Sequence, residues 1–322
     1  MKNTLSVAAA FGAMLCLILA PATAIESSRY ALTLCAELIV PSLFPFFVAS
    51  ALLIRLGLPQ RLGRLLSPLA RRLWGVSGAG ASAFLAGICG GYPLGAQTIG
   101  ELYRSDQISR GEAERLLAFC NNSGPSFLIG VIGSSLFSSR SIGLLLYAIH
   151  VSAAALTGIV FRSREAIFDT APAQREEAFS TALVGAIRQS VTSILSVSGF
   201  VVCFCVLTGM LECVGIFTHL ASYLSRLTGA NSQILRALLI GLLELSSGVG
   251  ALRSAQLGRF AFILCAFLCG WGGLSVQFQT LAVLSETDLS CRLHLPGRLL
   301  SAVISALLAA AVSRLWLMPP ML

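Results

Sequence analysis

Residues 84–100, FLAGICGGYPLGAQTIG, and residues 116–130, LLAFCNNSGPSFLIG, are hydrophobic runs interrupted at their centres by glycine, proline and paired asparagines. A bilayer core offers no water to a free N–H or C=O. Unwound chain therefore persists at membrane depth only where protein buries it or a polar cavity lines it. Interrupted apolar segments of this kind mark the binding site of a secondary transporter.

The rest of the chain agrees. Of 322 residues, 56% are hydrophobic and only 11% charged, with a mean hydropathy of +0.84. That is too few charges to coat a soluble globule of this size. The net charge of +8 comes from arginines and a single lysine, Lys2, scattered between apolar runs. Such spacing reads as topology signals at lipid headgroups and excludes a nucleic-acid patch. Of the ten cysteines, Cys16, Cys35, Cys89, Cys120, Cys203, Cys205, Cys213, Cys265 and Cys269 lie in apolar segments and no CxxC occurs. They read as packing thiols.

Apolar segments long enough to span lie near residues 5–24, 31–54, 116–138, 141–161, 191–216, 260–285 and 299–317. The first, with Lys2 before it and Ala22-Thr23-Ala24 after it, fits a retained helix better than a cleaved signal. Two further stretches, 76–103 and 236–254, are ambiguous. If both cross the membrane, the basic residues divide eleven to eleven; if both are re-entrant hairpins, the division is fifteen inside, Arg298 among them, against seven. The positive-inside bias favours hairpins.

The second half echoes the first. VPSLFPFFV from Val40 aligns with ILSVSGFVV from Ile194, and FLAGICGGYP from Phe84 with LLIGLLELSS from Leu238, both at an offset of 154. AFCNNSG from Ala118 follows against AFLCGWG from Ala266 at 148. The expected fold is an all-α polytopic membrane protein of two inverted repeats, each a helix, a re-entrant hairpin and a broken helix. Its parts are an N-terminal helix or signal-like segment (1–30), repeat 1 (31–140), a connecting span and cytoplasmic loop (141–180), repeat 2 (181–290) and a C-terminal helix (291–322). Residues 181–190 and 218–228 read as interfacial helices, and the charged loop 162–177 as the joint between halves.

The polar residues inside apolar sequence are the candidate binding site. Asn121, Asn122, Ser123 and Gly124 interrupt one helix before Pro125, baring carbonyls on one side and amides on the other; a kink satisfied by neighbouring helices is the alternative. Gly91, Tyr92 and Pro93 suit a hairpin tip, and Tyr92 adds an aromatic face, though the turn alone would justify them. Glu244, with Ser246 and Ser247, is an acidic residue embedded in the second hairpin. An intramembrane carboxylate is a functional candidate by default, here for coupling to H+ or Na+, against a purely local capping role. Glu37 and Glu212 rank lower. Gln277 and Gln279 mirror the asparagines in repeat 2, where interhelical bonding is equally reasonable. No arginine reads as lying deep in an apolar segment, so half-helix ends are expected to supply any positive field. His150, His219 and His294 have no ligand partners at metal spacing, no cofactor motif is present, and no nucleophile set supports an enzyme.

At GGYPLGA (90–96), EAERLLAFCNNSGPSFLIG (112–130) and LLELSSG (242–248), the chain resembles the YlbJ/SpoVV family of sporulation integral membrane proteins, which belong with the nucleoside-recognition (Gate) domain proteins. Where the family usually has SGYP, this chain has Gly90-Gly91-Tyr92-Pro93. The resemblance implies a fold related to concentrative nucleoside transporters. It also implies a role in moving dipicolinic acid across the outer forespore membrane. The expected partners are the lipid bilayer, a small carboxylate and further copies of the chain in a homo-oligomer. A nucleoside carrier and a non-transporting scaffold or gate component of a sporulation complex are the alternatives.

Overall fold

The structure is a computed structural model that describes residues 2–163, 178–254 and 258–315. Most of the charged joint, residues 164–177, lies outside that description, as do its Arg164 and Arg175. Among the described residues every regular element is helical. Helix α1 (Lys2–Leu19) bends by 100° into α2 (Pro21–Leu34), which passes through a π-helical turn (Cys35–Ile39) into α3 (Val40–Arg55). The amphipathic α4 (Leu58–Trp74) follows, with left-handed glycines, Gly57 and Gly75, at its ends.

The first ambiguous stretch is a helical hairpin, α5 (Gly78–Gly90) and α6 (Leu94–Arg104). After it the chain makes a short helix, α7 (Arg110–Leu116), unwinds over residues 117–124, and resumes as a π-helix (Ser126–Leu136). Helix α8 (Arg140–Val160) leads to the second half: α9 (Phe179–Cys213), α10 (Ile216–Thr228), the hairpin α11 (Ser232–Leu243) and α12 (Leu245–Ala251), then α13 (Arg259–Trp271) and α14 (Gly273–Leu284), with α15 (His294–Leu315) last. The order helix, amphipathic helix, hairpin, broken helix thus occurs twice.

Residues 181–190 are not a separate interfacial helix. They form the opening turns of α9, a 35-residue helix with no break at Ser190, because residues 178–213 contain no proline and only three isolated glycines, Gly185, Gly199 and Gly209. Residues 218–228 do form their own helix, α10, bounded by left-handed Gly215 and Gly229.

Helix α9 meets both hairpins. Toward its start the Gln189 side chain donates to Glu101 at 3.0 Å, and Ser193 accepts from Gln97 at 2.7 Å. Toward its end the Cys205 sulfur lies 3.2 Å from the Ser247 hydroxyl, and Glu212 pairs with Arg236 of α11 at 2.9 Å. At the open ends of the bundle, Asp288 bridges to Arg110 at 3.2 Å and accepts from Tyr103 at 2.7 Å. That phenol hydrogen bond, helped by Arg110, holds the Asp288 carboxyl below its ordinary value.

Glycine explains how unwound chain is accommodated. Gly87 and Gly95, on the two limbs of the first hairpin, both press on the Cys120 carbonyl; a Cβ on either would lie 2.9 Å from that carbonyl carbon. The hairpin therefore straddles the unwound segment by backbone contact. Trp74, Phe84 and Phe119 close the space beneath it, with ring centroids 4.6 to 6.0 Å apart.

Gly87→Val or Gly95→Val should each destabilise the protein by about 1–3 kcal/mol or more by overpacking. Gly199→Ala, on an open face of α9 with nothing within 4 Å, should be neutral or gain about 0.5–1 kcal/mol. Thermal unfolding in one detergent compares the three, and equal midpoints would refute this account of the hairpin.

Candidate functional site

Both hairpin tips and the first helix break converge on one cleft, which α14 borders just beyond the second break. Its wall includes Gly91 and Tyr92 from the first tip, Ser123, Gly124 and Phe127 from the first break, and Glu244, Leu245 and Ser246 from the second tip. Ile39, Leu43, Val197 and Val201 from the flanking helices, with Val276 and Gln279 of α14, complete it. Three pairs in this wall, Leu43 with Val197, Gly91 with Leu245 and Tyr92 with Ser246, each stand 154 residues apart. The offset that relates the two halves in sequence therefore relates opposite walls of the cleft.

The first tip turns at Gly91, whose φ of +83° suits glycine. Its α-carbon also faces Gly124, where a Cβ would meet the amide nitrogen at 2.8 Å. Tyr92 precedes a cis proline bond to Pro93, and Pro93 is buried at the start of α6 rather than in the cleft wall. The Tyr92 hydroxyl donates its one proton to the Cys269 carbonyl at 2.7 Å and accepts from Arg298 at 2.8 Å. Only the ring is left to face the cleft, as a fixed aromatic wall.

The second tip is organised by Glu244. Its carboxylate accepts from the amides of Ser246 at 3.0 Å and Ser247 at 2.5 Å, capping α12. It does so while lining the cleft at 2% exposure, so capping and contact with a ligand fall on one side chain. The Ser247 hydroxyl instead faces Cys205, and Trp271 donates to the Leu242 carbonyl at 3.0 Å.

The asparagines do not reach the cleft. Both have no exposed surface. The Asn121 amide donates to Thr280 at 2.7 Å, that of Asn122 donates to the Phe119 carbonyl at 2.8 Å, and Asn122 Oδ1 accepts from Arg298 at 3.2 Å. Unwound backbone leaves carbonyls without helical partners, and the Asn122 amide satisfies that of Phe119, while Asn121 through Thr280 ties the first break to α14 and Asn122 through Arg298 ties it to α15. Gln277 also turns away, donating to the Trp271 carbonyl at 2.7 Å; Gln279, about 200° around the helix, faces the cleft.

Two functional neighbours escape a reading of the sequence. His150 of α8 accepts the Ser123 amide proton on Nε2 at 3.0 Å, so its ring is neutral with the proton on Nδ1. Arg298, expected among headgroups, is fully buried. Besides Tyr92 and Asn122 it donates to the carbonyls of Cys269 (3.2 Å) and Gly270. These carbonyls end α13, where Gly272 and Gly273, both at positive φ, deny them helical amides. The negative end of a half-helix thus receives the guanidinium. Gly297, one residue earlier, lets α15 touch Ala118 in the first break.

Residues 37–166 match the Gate family, described as nucleoside recognition. Over 94% of its length the chain is 31% identical to the sporulation integral membrane protein YlbJ of Bacillus subtilis (strain 168), of which it covers 81%. Among solved structures it resembles a CNTnw variant in an outward-facing state (TM-score 0.59, 17% identity, 98% of this chain and 85% of that one). It also resembles CNTnw in an inward-facing substrate-bound state (TM-score 0.55, 17% identity, 97% and 84%). The fold is therefore the all-α, polytopic membrane fold of the CNTnw structures.

Glu244→Ala should cost about 1–2 kcal/mol through loss of the cap, and Glu244→Gln less, because its amide oxygen still accepts one bond. An alanine variant with an unchanged unfolding midpoint would show that the carboxylate does not hold the second tip.

Proposed function

Because the chain belongs to the family of the sporulation integral membrane protein YlbJ, we propose that it is a secondary transporter of a small aromatic carboxylate. Dipicolinic acid is the foremost substrate, moved across the outer forespore membrane during sporulation. The observation that carries the reading is the cleft wall. Tyr92, its hydroxyl fully engaged, and Phe127 offer aromatic surface, aliphatic side chains supply most of the remainder, and Glu244, Ser246 and Gln279 supply a few polar groups. Apolar walls with a few fixed polar groups suit a small planar ligand.

The wall also suggests how transport is driven. An entering carboxylate would meet Glu244 inside a site of low dielectric, where two like charges at about 5 Å repel by roughly 3 kcal/mol at an effective dielectric constant near 20. A proton on Glu244, or a Na+ beside it, removes that cost, so substrate and cation travel together. Rocking of the hairpin and broken-helix units against α3 and α9 would expose the cleft to each side in turn.

The match of residues 37–166 to a nucleoside-recognition family favours one other reading, a nucleoside carrier in which Glu244 and Gln279 bind ribose hydroxyls. Uptake of labelled dipicolinate into proteoliposomes separates the possibilities. Saturable uptake is expected, driven by a proton or sodium gradient, losing that gradient dependence in Glu244→Gln and indifferent to excess uridine. Competition by uridine would favour the nucleoside, and absence of uptake under either gradient would favour a scaffold or gate component.

A further inference from the structure

Arg298 is the only arginine in the buried set of the described residues. Its neighbours within hydrogen-bonding distance are a phenol, an amide oxygen and two carbonyls. No Asp or Glu of the described residues forms a salt bridge with it. Its Nε has no partner. A charge this deep is costly unless compensated, and the dipoles of a half-helix end compensate it only in part.

Its place relative to the cleft is specific. The guanidinium carbon lies 5.5 Å from the centre of the Tyr92 ring, and Tyr92 lines the cleft. Behind one wall there is thus a fixed positive charge, separated from a ligand by a phenol ring it holds in place. In the opposite tip the formal charge belongs to Glu244. When Glu244 is neutralised by its coupled cation, Arg298 remains as the unbalanced charge of the site, and an anion completes it.

Resting on the carboxylate reading above, we propose that Arg298 is the positioning residue that makes the cleft selective for anions. It fixes the Tyr92 ring through its fork of N–H groups and biases the cleft positive through its charge. Arg298 does not touch the ligand. Its two contributions are separable, because lysine keeps the charge and loses the fork, whereas glutamine keeps some hydrogen bonding and loses the charge.

The test compares binding of dipicolinate with binding of its uncharged isostere pyridine-2,6-dicarboxamide, using the full-length protein in nanodiscs as wild type, Arg298→Lys and Arg298→Gln. Thermal unfolding confirms that each variant is folded. The wild type is expected to prefer the dianion. Arg298→Lys should bind both ligands more weakly with the preference retained, and Arg298→Gln should weaken the dicarboxamide by a similar amount and in addition lose about tenfold or more of the preference. An Arg298→Gln protein that keeps the preference, or loses both ligands equally, overturns the proposal and leaves the carboxylate reading standing. A wild type that binds neither probe, or prefers the dicarboxamide, overturns both, and shows it before any variant is made. If Arg298→Gln does not fold, Arg298→Lys decides: loss of the preference there, with the dicarboxamide bound as before, overturns the proposal.

Discussion

One guanidinium, enclosed by carbonyls, a phenol and an amide, fastens the two halves of this protein to each other. Arg298 reaches the first hairpin tip through Tyr92, the first break through Asn122 and the second break through the Cys269 and Gly270 carbonyls. The contacts fall at a tip, a break and a helix end, and without the guanidinium Asn122 Oδ1 and the Gly270 carbonyl would lose the partner they have here, a cost in lipid. The broken helices are therefore tolerated because they break beside one another, with α15 passing between them. Gly297 against Ala118 and Ala302 against Gly270 allow that passage at backbone distance.

The same logic runs through the rest of the centre. Asn122 serves the backbone it interrupts, Asn121 bonds Thr280 of α14, His150 takes the amide that the first break releases, and Glu244 takes the amides at the start of α12. Most polar side chains here are committed to holding open chain in shape. What remains for a ligand is narrow: an aromatic ring held by its hydroxyl, a capped carboxylate, a glutamine and apolar surface. A site built this way is shaped before the ligand arrives, so little ordering cost falls on binding.

Much of this was legible in the sequence. The two interruptions follow from glycine, proline and asparagine placed where lipid forbids open chain, the hairpins at 76–103 and 236–254 from the balance of basic residues, and the offset of 154 from the alignment of the two halves. The offset could also have pointed to Leu43 and Val197, which its first alignment pairs and which both line the cleft. The directions of side chains were not legible. Which of Gln277 and Gln279 faces the cleft depends on the phase at which α14 restarts after Gly272, and that phase is set by tertiary packing. Arg298 follows Pro296 and Gly297 at the edge of an apolar run, a pattern that describes a headgroup arginine as well as a buried one; only the position of α15 between the breaks tells them apart.

Helix α9 carries a mechanical implication. Its 35 residues make a rod about 52 Å long, well beyond the ~30 Å thickness of a hydrocarbon core, so it must lean or protrude. Before its midpoint it is fastened to the first hairpin by Gln189 and Ser193, and beyond it to the second hairpin by Cys205 and Glu212, with Val197 and Val201 in the cleft wall between. A stiff beam pivoting about its middle cannot drop at both ends. Any tilt that slackens the grip on one hairpin tightens it on the other, as the pans of a balance move together in opposite senses.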